Sequence, residues 1–170
     1  MTARTIKSEN SMDTPPDTLR SKQSLRLWLK LLGRTNLIEK TLQGHLRDAY
    51  QTTLPRFDVL AELYRRPDGV TMGDLSAMLM VSNGNVTGLA RRLQEDGLLI
   101  RTPKPSDKRT ILLRITDAGK SAFEEMATAH EQWVSTIFAS LSAQDITTLM
   151  ALLDKINSDS PASGKEETHV

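Results

Sequence analysis

The sequence predicts a mainly α-helical chain with one small β-hairpin. Three observations carry that prediction. Apolar residues recur at three- and four-residue steps towards both ends of the chain, the spacing of one helical face. Between those ends, Ser82, Gly97 and the alternating run Thr110 to Ile115 mark a helix start, a helix stop and a strand, in that order. The 170 residues are 38% hydrophobic and 25% charged, which describes a single domain with a substantial core.

Residues 1–20 are polar and carry Pro15-Pro16, so they read as a flexible arm, and 158–170 read as a frayed tail. Residues 21–157 form one domain, with a compact centre over 54–116 and long flanking helices over 22–50 and 117–157. In the first helix, from about Lys22 to Tyr50, Leu25, Trp28, Leu29, Leu32, Leu42, Leu46 and Ala49 make one apolar stripe. At ~1.5 Å per residue it is about 40 Å long, too long for a small centre to cover, so part of the stripe calls for a second subunit. A second helix starts at Pro55, a first-turn proline, with Phe57, Leu60, Ala61 and Tyr64 inward. Pro67-Asp68-Gly69 ends it with turn chemistry. Val70 is a short bridging strand, and Thr71 caps a third helix whose inner face is Leu75, Met78 and Leu79.

Met80 to Ser82 make the next turn, and Ser82 caps a fourth helix. Val86, Leu89, Ala90 and Leu93 are its buried positions, which leaves Asn83, Asn85, Thr87, Gly88 and Arg91 outside. Gly97 stops it. Leu98–Thr102 and Thr110–Ile115 then form the hairpin, with Ile111, Leu113 and Ile115 inward and Pro103 and Pro105 keeping the connection unpaired. Thr116 to Gly119 start a long helix to about Leu141, carrying Phe123, Met126, His130, Val134 and Phe138. Ser142 caps a last helix with Ile146, Leu149, Met150, Leu153 and Ile156 at near-heptad spacing.

The net charge of +1 is uninformative, but its distribution is not. Residues 82–116 hold Arg91, Arg92, Arg101, Lys104, Lys108, Arg109 and Arg114 against Glu95, Asp96 and Asp107. Residues 117–157 hold only Lys120 and Lys155 against six carboxylates. That asymmetry is expected where one surface meets phosphates and another does not. A polar helix followed by a cationic hairpin tip is suited to two neighbouring grooves of duplex DNA. Asparagine bonds adenine edges and arginine takes guanine O6 and N7, so the outer face of the Ser82-capped helix carries suitable readers. Gly84 and Gly88 cost ~1 kcal/mol each in a helix relative to alanine; close approach of a DNA backbone accounts for them, and a local packing need is the other account. Lys104, Lys108 and Arg109 suit a narrow minor groove. Asp107 is expected to orient Arg109 by a charge-assisted hydrogen bond.

The absence of cysteine excludes disulfides, thiolate metal sites and a cysteine nucleophile. His45, His130 and His169 sit in unrelated segments, and no HExxH, P-loop or GxSxG spacing appears. Neither an enzymatic activity nor a cofactor is expected. No apolar run approaches the ~18 residues of a membrane span, and the N-terminus has no apolar signal core, so a cytoplasmic protein is expected.

These motifs resemble the MarR family of winged helix-turn-helix transcriptional regulators over roughly residues 25–156. The resemblance is most specific from Asp107-Lys108-Arg109 through Ile115-Thr116 and Gly119, similar to the family's wing signature. Val86-Thr87, Leu89, Arg92-Leu93 and Gly97-Leu98 fit its recognition-helix pattern, and Arg101 its strand arginine. Gly88 departs from the arginine many members carry, and Arg91 from their aspartate, which shifts the expected base readout towards Arg91 and the asparagines. The resemblance implies a homodimer on a palindromic operator, usually a repressor released by a small anionic or aromatic ligand. Ser82, Asn83, Asn85, Thr87, Gly88, Arg91, Arg92, Arg101, Lys104, Lys108 and Arg109 are the expected DNA contacts. Trp28, Leu32, Asn36, Phe57 and Tyr64 are candidates to line an effector pocket. Lys22, Arg26, Lys30 and Arg34 form a cationic stripe that would attract an anionic effector, such as an aromatic carboxylate or its CoA thioester. The alternative function is a winged-helix protein-interaction module that does not bind DNA.

Overall fold

The computed structural model describes residues 16–156. In chain order the elements are α1 (Pro16–Tyr50), α2 (Leu54–Tyr64), β1 (Val70–Thr71), α3 (Met72–Met78), α4 (Asn83–Glu95), β2 (Leu99–Lys104), β3 (Asp107–Ile115), α5 (Asp117–Ile137) and α6 (Ala143–Asp154). Helices dominate, with one small antiparallel sheet ordered β1-β3-β2. Of the expected arm, residues 1–15 lie outside the described residues, while α1 begins at Pro16, earlier than the apolar stripe indicates. The expected tail, 158–170, also lies outside them.

Local hydrogen bonding sets most helix starts. Thr71, Ser82, Thr116 and Ser142 each accept a bond from a backbone N–H in the first turn of the helix they precede, which satisfies one of its orphan donors. Ser142 and Asp145 complete a reciprocal capping box on α6. Gly69 and Gly97 turn the chain with φ of 85° and 71°, a region open to glycine without strain.

The core lies between α2, α4, α5 and the sheet. Leu46, Val59, Leu60, Leu63, Leu75, Val86, Leu93, Leu99 and Leu113 are fully buried in it. Phe57 stacks on His130 and tilts against Phe123, at centroid distances of 4.7 and 5.4 Å. Trp133 stacks on His45 at 4.9 Å and meets Tyr50 at 6.2 Å, which joins α5 to the C-terminal half of α1. His130 is thus a packing residue. Burial holds its imidazole below the usual pKa.

Several inward assignments are corrected. Tyr64 is 40% exposed; Val59 and Leu63 are the buried positions of α2 beside Phe57, Leu60 and Ala61. Tyr64 instead lays its ring on Phe123 and donates its hydroxyl to Glu124. Met78 and Ala49 are also exposed, and Ser76 is buried on α3. On β3 the alternation breaks. Leu112 and Leu113 are both buried and Ile111 is 44% exposed, because β3 is the central strand and only its inner half lies against β1. The hairpin is longer than its sequence indicates. Pro103 pairs with Ile111, and after an irregularity Lys104 faces Asp107. Pro103 is tolerated there because β2 is an edge strand.

Two long surfaces stay uncovered in the single chain. Leu19, Leu25, Leu27, Trp28 and Leu29 on α1 are each more than half exposed, and α6 has no buried residue at all. Among the described residues, no helix is long and apolar enough to cross a membrane.

Candidate nucleic-acid interface

The turn into α4 is tight. Met80 adopts φ of 52°, and Val81 N–H donates to Ser76 C=O at 3.2 Å. Ser82 then opens α4, with its hydroxyl accepting from Asn85 N–H at 3.5 Å. Val86, Ala90 and Leu93 anchor α4 in the core, with Leu89 half-buried beside them. That anchoring fixes the rotation of the helix. Ser82, Asn83, Asn85, Thr87, Arg91 and Arg92 are all exposed as a result. Thr87 spends its hydroxyl proton on Asn83 C=O at 2.8 Å. Arg91 is held only loosely by Glu95, at 3.9 Å. Such an exposed pair contributes a few tenths of a kcal/mol, so Arg91 is available to another acceptor.

The glycines of α4 have no internal packing reason. A Cβ at Gly84 or Gly88 would find no neighbouring atom within 4 Å. The space over them is open, which removes local packing as the account of their presence.

The hairpin tip is ordered by Asp107. Its carboxylate accepts from Arg109 N–H at 3.0 Å and from Thr110 hydroxyl at 2.8 Å. Those bonds, the hydroxyl's first, hold the Asp107 carboxyl below its usual pKa, with Lys104 nearby adding to the effect. The expected bond to the Arg109 guanidinium is not formed. Asp107 shapes the backbone of the tip and leaves the Arg109 side chain exposed, along with Lys104 and Lys108. Arg101 is likewise exposed on β2 and lines a cleft with Met72 and Ile111.

Of the residues expected to bind an effector, Phe57 and Tyr64 both pack on Phe123, and the others lie apart from them on α1. Phe57 is buried among aromatics, Tyr64 sits at the far end of α2, and Trp28 and Leu32 lie on the uncovered part of α1. Arg26, Lys30 and Arg34 are exposed there too. Asn36 borders a cavity of about 490 Å³ where α1, α2 and the α3–α4 turn meet. Its other walls include Glu39, Lys40, Asp58 and Val81. Asp58 is not legible as perturbed from the sequence, because its burial and the approach of Glu39 depend on how α1 packs against α2. Burial, then Glu39 and Glu62, push its carboxyl from 3.8 up to about 6, against the pull of Arg65. The folded chain therefore holds this proton more tightly than the unfolded one. The stability it contributes is complete below about 3.8 and is lost as pH rises through about 6. Asp58→Asn should accordingly be more stable than the parent at pH 7.5, by about 1–2 kcal/mol after discounting for partial exposure. Urea melts should show that gap closing towards pH 4; a gap independent of pH would contradict the assignment.

Fold and exposed face together define a winged helix-turn-helix protein, with α3 and α4 as the helix pair and β2–β3 as the wing. The MarR family model matches residues 52–111. A MarR family transcriptional regulator from Silicibacter pomeroyi, seen in a crystal structure, is 36% identical, with 81% of this chain and 94% of that one covered and a TM-score of 0.70. The transcriptional activatory protein BadR of Rhodopseudomonas palustris is 28% identical over 159 residues, 92% of this chain and 87% of that protein. A mutant MarR from E. coli, crystallised with operator DNA, has the same fold at 24% identity, with a TM-score of 0.71 and coverage of 79% and 96%. The chain belongs to the MarR family of transcriptional regulators. Its relatives are named as regulators, not as enzymes.

Proposed function

We propose that the protein works in the cytoplasm as a homodimer that binds a palindromic operator and represses transcription until a small anionic or aromatic ligand releases it. The observation that carries the DNA-binding part is the fixed rotation of α4. Three buried anchors turn an asparagine- and arginine-bearing face outward, next to a cationic wing. In this reading α4 enters the major groove, with Asn83, Asn85 and Arg91 on base edges, and Ser82, Thr87 and Arg92 towards phosphates. The open space over Gly84 and Gly88 lets the DNA come close. The wing, with Lys104, Lys108 and Arg109, reaches the adjacent minor groove, and Arg101 contacts the backbone between them. The E. coli neighbour, crystallised with operator DNA, supports this placement through its shared fold.

Pairing of two copies is supported by the uncovered apolar faces of α1 and α6. Faces of that size on a lone subunit mark an interface, and a two-fold dimer would present two α4 helices to half-sites about 34 Å apart. Repression rests on the resemblance alone; the name of BadR records activation by a relative. For the ligand, the support is the exposed cationic stripe Lys22, Arg26, Lys30 and Arg34 on α1, which suits an aromatic carboxylate or its CoA thioester, while Trp28 and Leu32 lie on the opposite face of the same helix. A pocket that joined these to Asn36 would have to be completed by the second subunit.

The test is a titration of a duplex from upstream of the protein's own gene at low and physiological salt. Affinity should fall by at least about 100-fold as phosphate contacts are screened. The double variant Leu149→Glu, Leu153→Glu should run as a monomer in sedimentation and lose the complex. Retention of a dimer by that variant removes α6 from the interface, and absence of salt-sensitive duplex binding by the parent sinks the whole reading.

A further inference from the structure

A groove of about 390 Å³ runs along α4, between that helix and Pro55 at the start of α2. Gly84 and Gly88 form one side of it, and Val81 and Leu89 add apolar surface. Its polar walls are Asn85 and Arg92. The helical repeat says which way it faces. Gly88 stands roughly 160° round α4 from both Val86 and Ala90, opposite the buried anchors. Thr87 and Arg91 lie to one side of it, Asn85 and Arg92 to the other. The groove is therefore continuous with the face proposed to meet DNA.

Its lining is unlike the rest of that face. Pro55 is exposed, Val81 is 40% exposed and Leu89 is half-buried. Apolar surface gains nothing from a phosphate, which takes N–H and cationic donors. Among the groups that base pairs present in the major groove, the apolar one is the C5-methyl of thymine. The two glycines supply its room. No atom lies within 4 Å of where a Cβ would stand at either position, so the bare backbone leaves a space that any side chain would take.

We propose that this groove is a thymine-reading site, in which the C5-methyl of one thymine per half-site lies on Val81, Leu89 and the backbone of Gly84 and Gly88. Asn85 bonds an adenine edge alongside, and Arg92 the neighbouring phosphate. The site rests on the DNA-binding reading of α4 and adds to it the base pair that is selected.

The upstream duplex made with deoxyuridine in place of thymidine tests it, because uracil pairs as thymine does and lacks only that methyl. The parent should bind the thymidine duplex about 10-fold more tightly, the worth of about one buried methyl in each of two half-sites. Gly88→Ala puts a methyl of the protein's own into the groove. It should bind the thymidine duplex about 10-fold less tightly than the parent does, and the two duplexes equally. Its thermal midpoint should rise by about 2–4 °C, since alanine favours a helix, which separates the lost preference from unfolding. A parent that binds both duplexes equally overturns the site and leaves the DNA-binding reading; a parent that binds neither overturns both. A thymidine preference undiminished in Gly88→Ala places the methyl elsewhere and overturns the groove. Loss of the dimer by Gly88→Ala in sedimentation makes the groove a contact between subunits and overturns it as well.

Discussion

Gly119→Ala is expected to destabilise the fold by about 3 kcal/mol or more, and to release α5 from the DNA-reading lobe. Gly119 is buried at the start of α5. A Cβ there would lie 2.1 Å from Leu98 C=O and 2.8 Å from Ile115 Cγ1. The first of these is backbone and cannot rotate away. The site is also a junction. Thr116 N–H donates to Leu98 C=O at 3.1 Å, Thr116 hydroxyl to Gly97 C=O at 2.8 Å, and Gly119 N–H to Thr116 hydroxyl at 3.0 Å. Moving Leu98 to admit a methyl would strain all three bonds. Thermal melts check the expectation. A variant with parental stability would mean that the α4–β2 turn shifts freely, and that the close approach at Gly119 is not needed.

The second large effect is on DNA. Arg109→Ala should weaken operator binding about 10- to 100-fold, the range of a good base or phosphate contact, with no change in melting temperature. Arg109 is exposed, and its bond to Asp107 is made by the backbone N–H. Removing the side chain therefore leaves the tip intact. Asp107→Ala provides the contrast. It keeps the arginine but frees the Arg109 backbone and the Thr110 hydroxyl, so it should cost affinity by disorder, and Asp107→Asn should recover part of it. Gel-shift titration on one duplex separates the three variants. Equal affinity of Arg109→Ala and parent would remove the wing from the interface.

Features set by neighbours in sequence were the legible ones. Ser82, Thr71, Thr116 and Ser142 act as caps because each bonds an N–H three residues on, and that chemistry is written locally. Val86, Ala90 and Leu93 could be read as the anchored face of α4 because a helix repeats over a few residues. What failed depended on distant partners. Leu112 is buried since Thr71, far upstream, pairs beside it, and Ile111 is exposed since the wing has by then left the body. Tyr64 looked like core by spacing, yet its hydroxyl reaches Glu124. Asp107 was assigned the Arg109 guanidinium as partner and instead binds that residue's main chain. The cavity at Asp58 is walled by α1, α2 and the turn before α4, and no window of sequence contains it. The expected effector set spans a core residue, Phe57, and the uncovered stretch of α1, because spacing along the chain does not say which surfaces the fold brings together.

The proline at position 103 bears on how the rim of the sheet meets other polypeptides. β2 is the outermost strand, and an outermost strand invites another polypeptide to zip alongside it. Pro103 offers no amide hydrogen to an intruder, and Lys104, directly after it, adds charge to the same rim. That would keep subunits from sheet-to-sheet clumping and leave α1 and α6 free for the helix pairing proposed above.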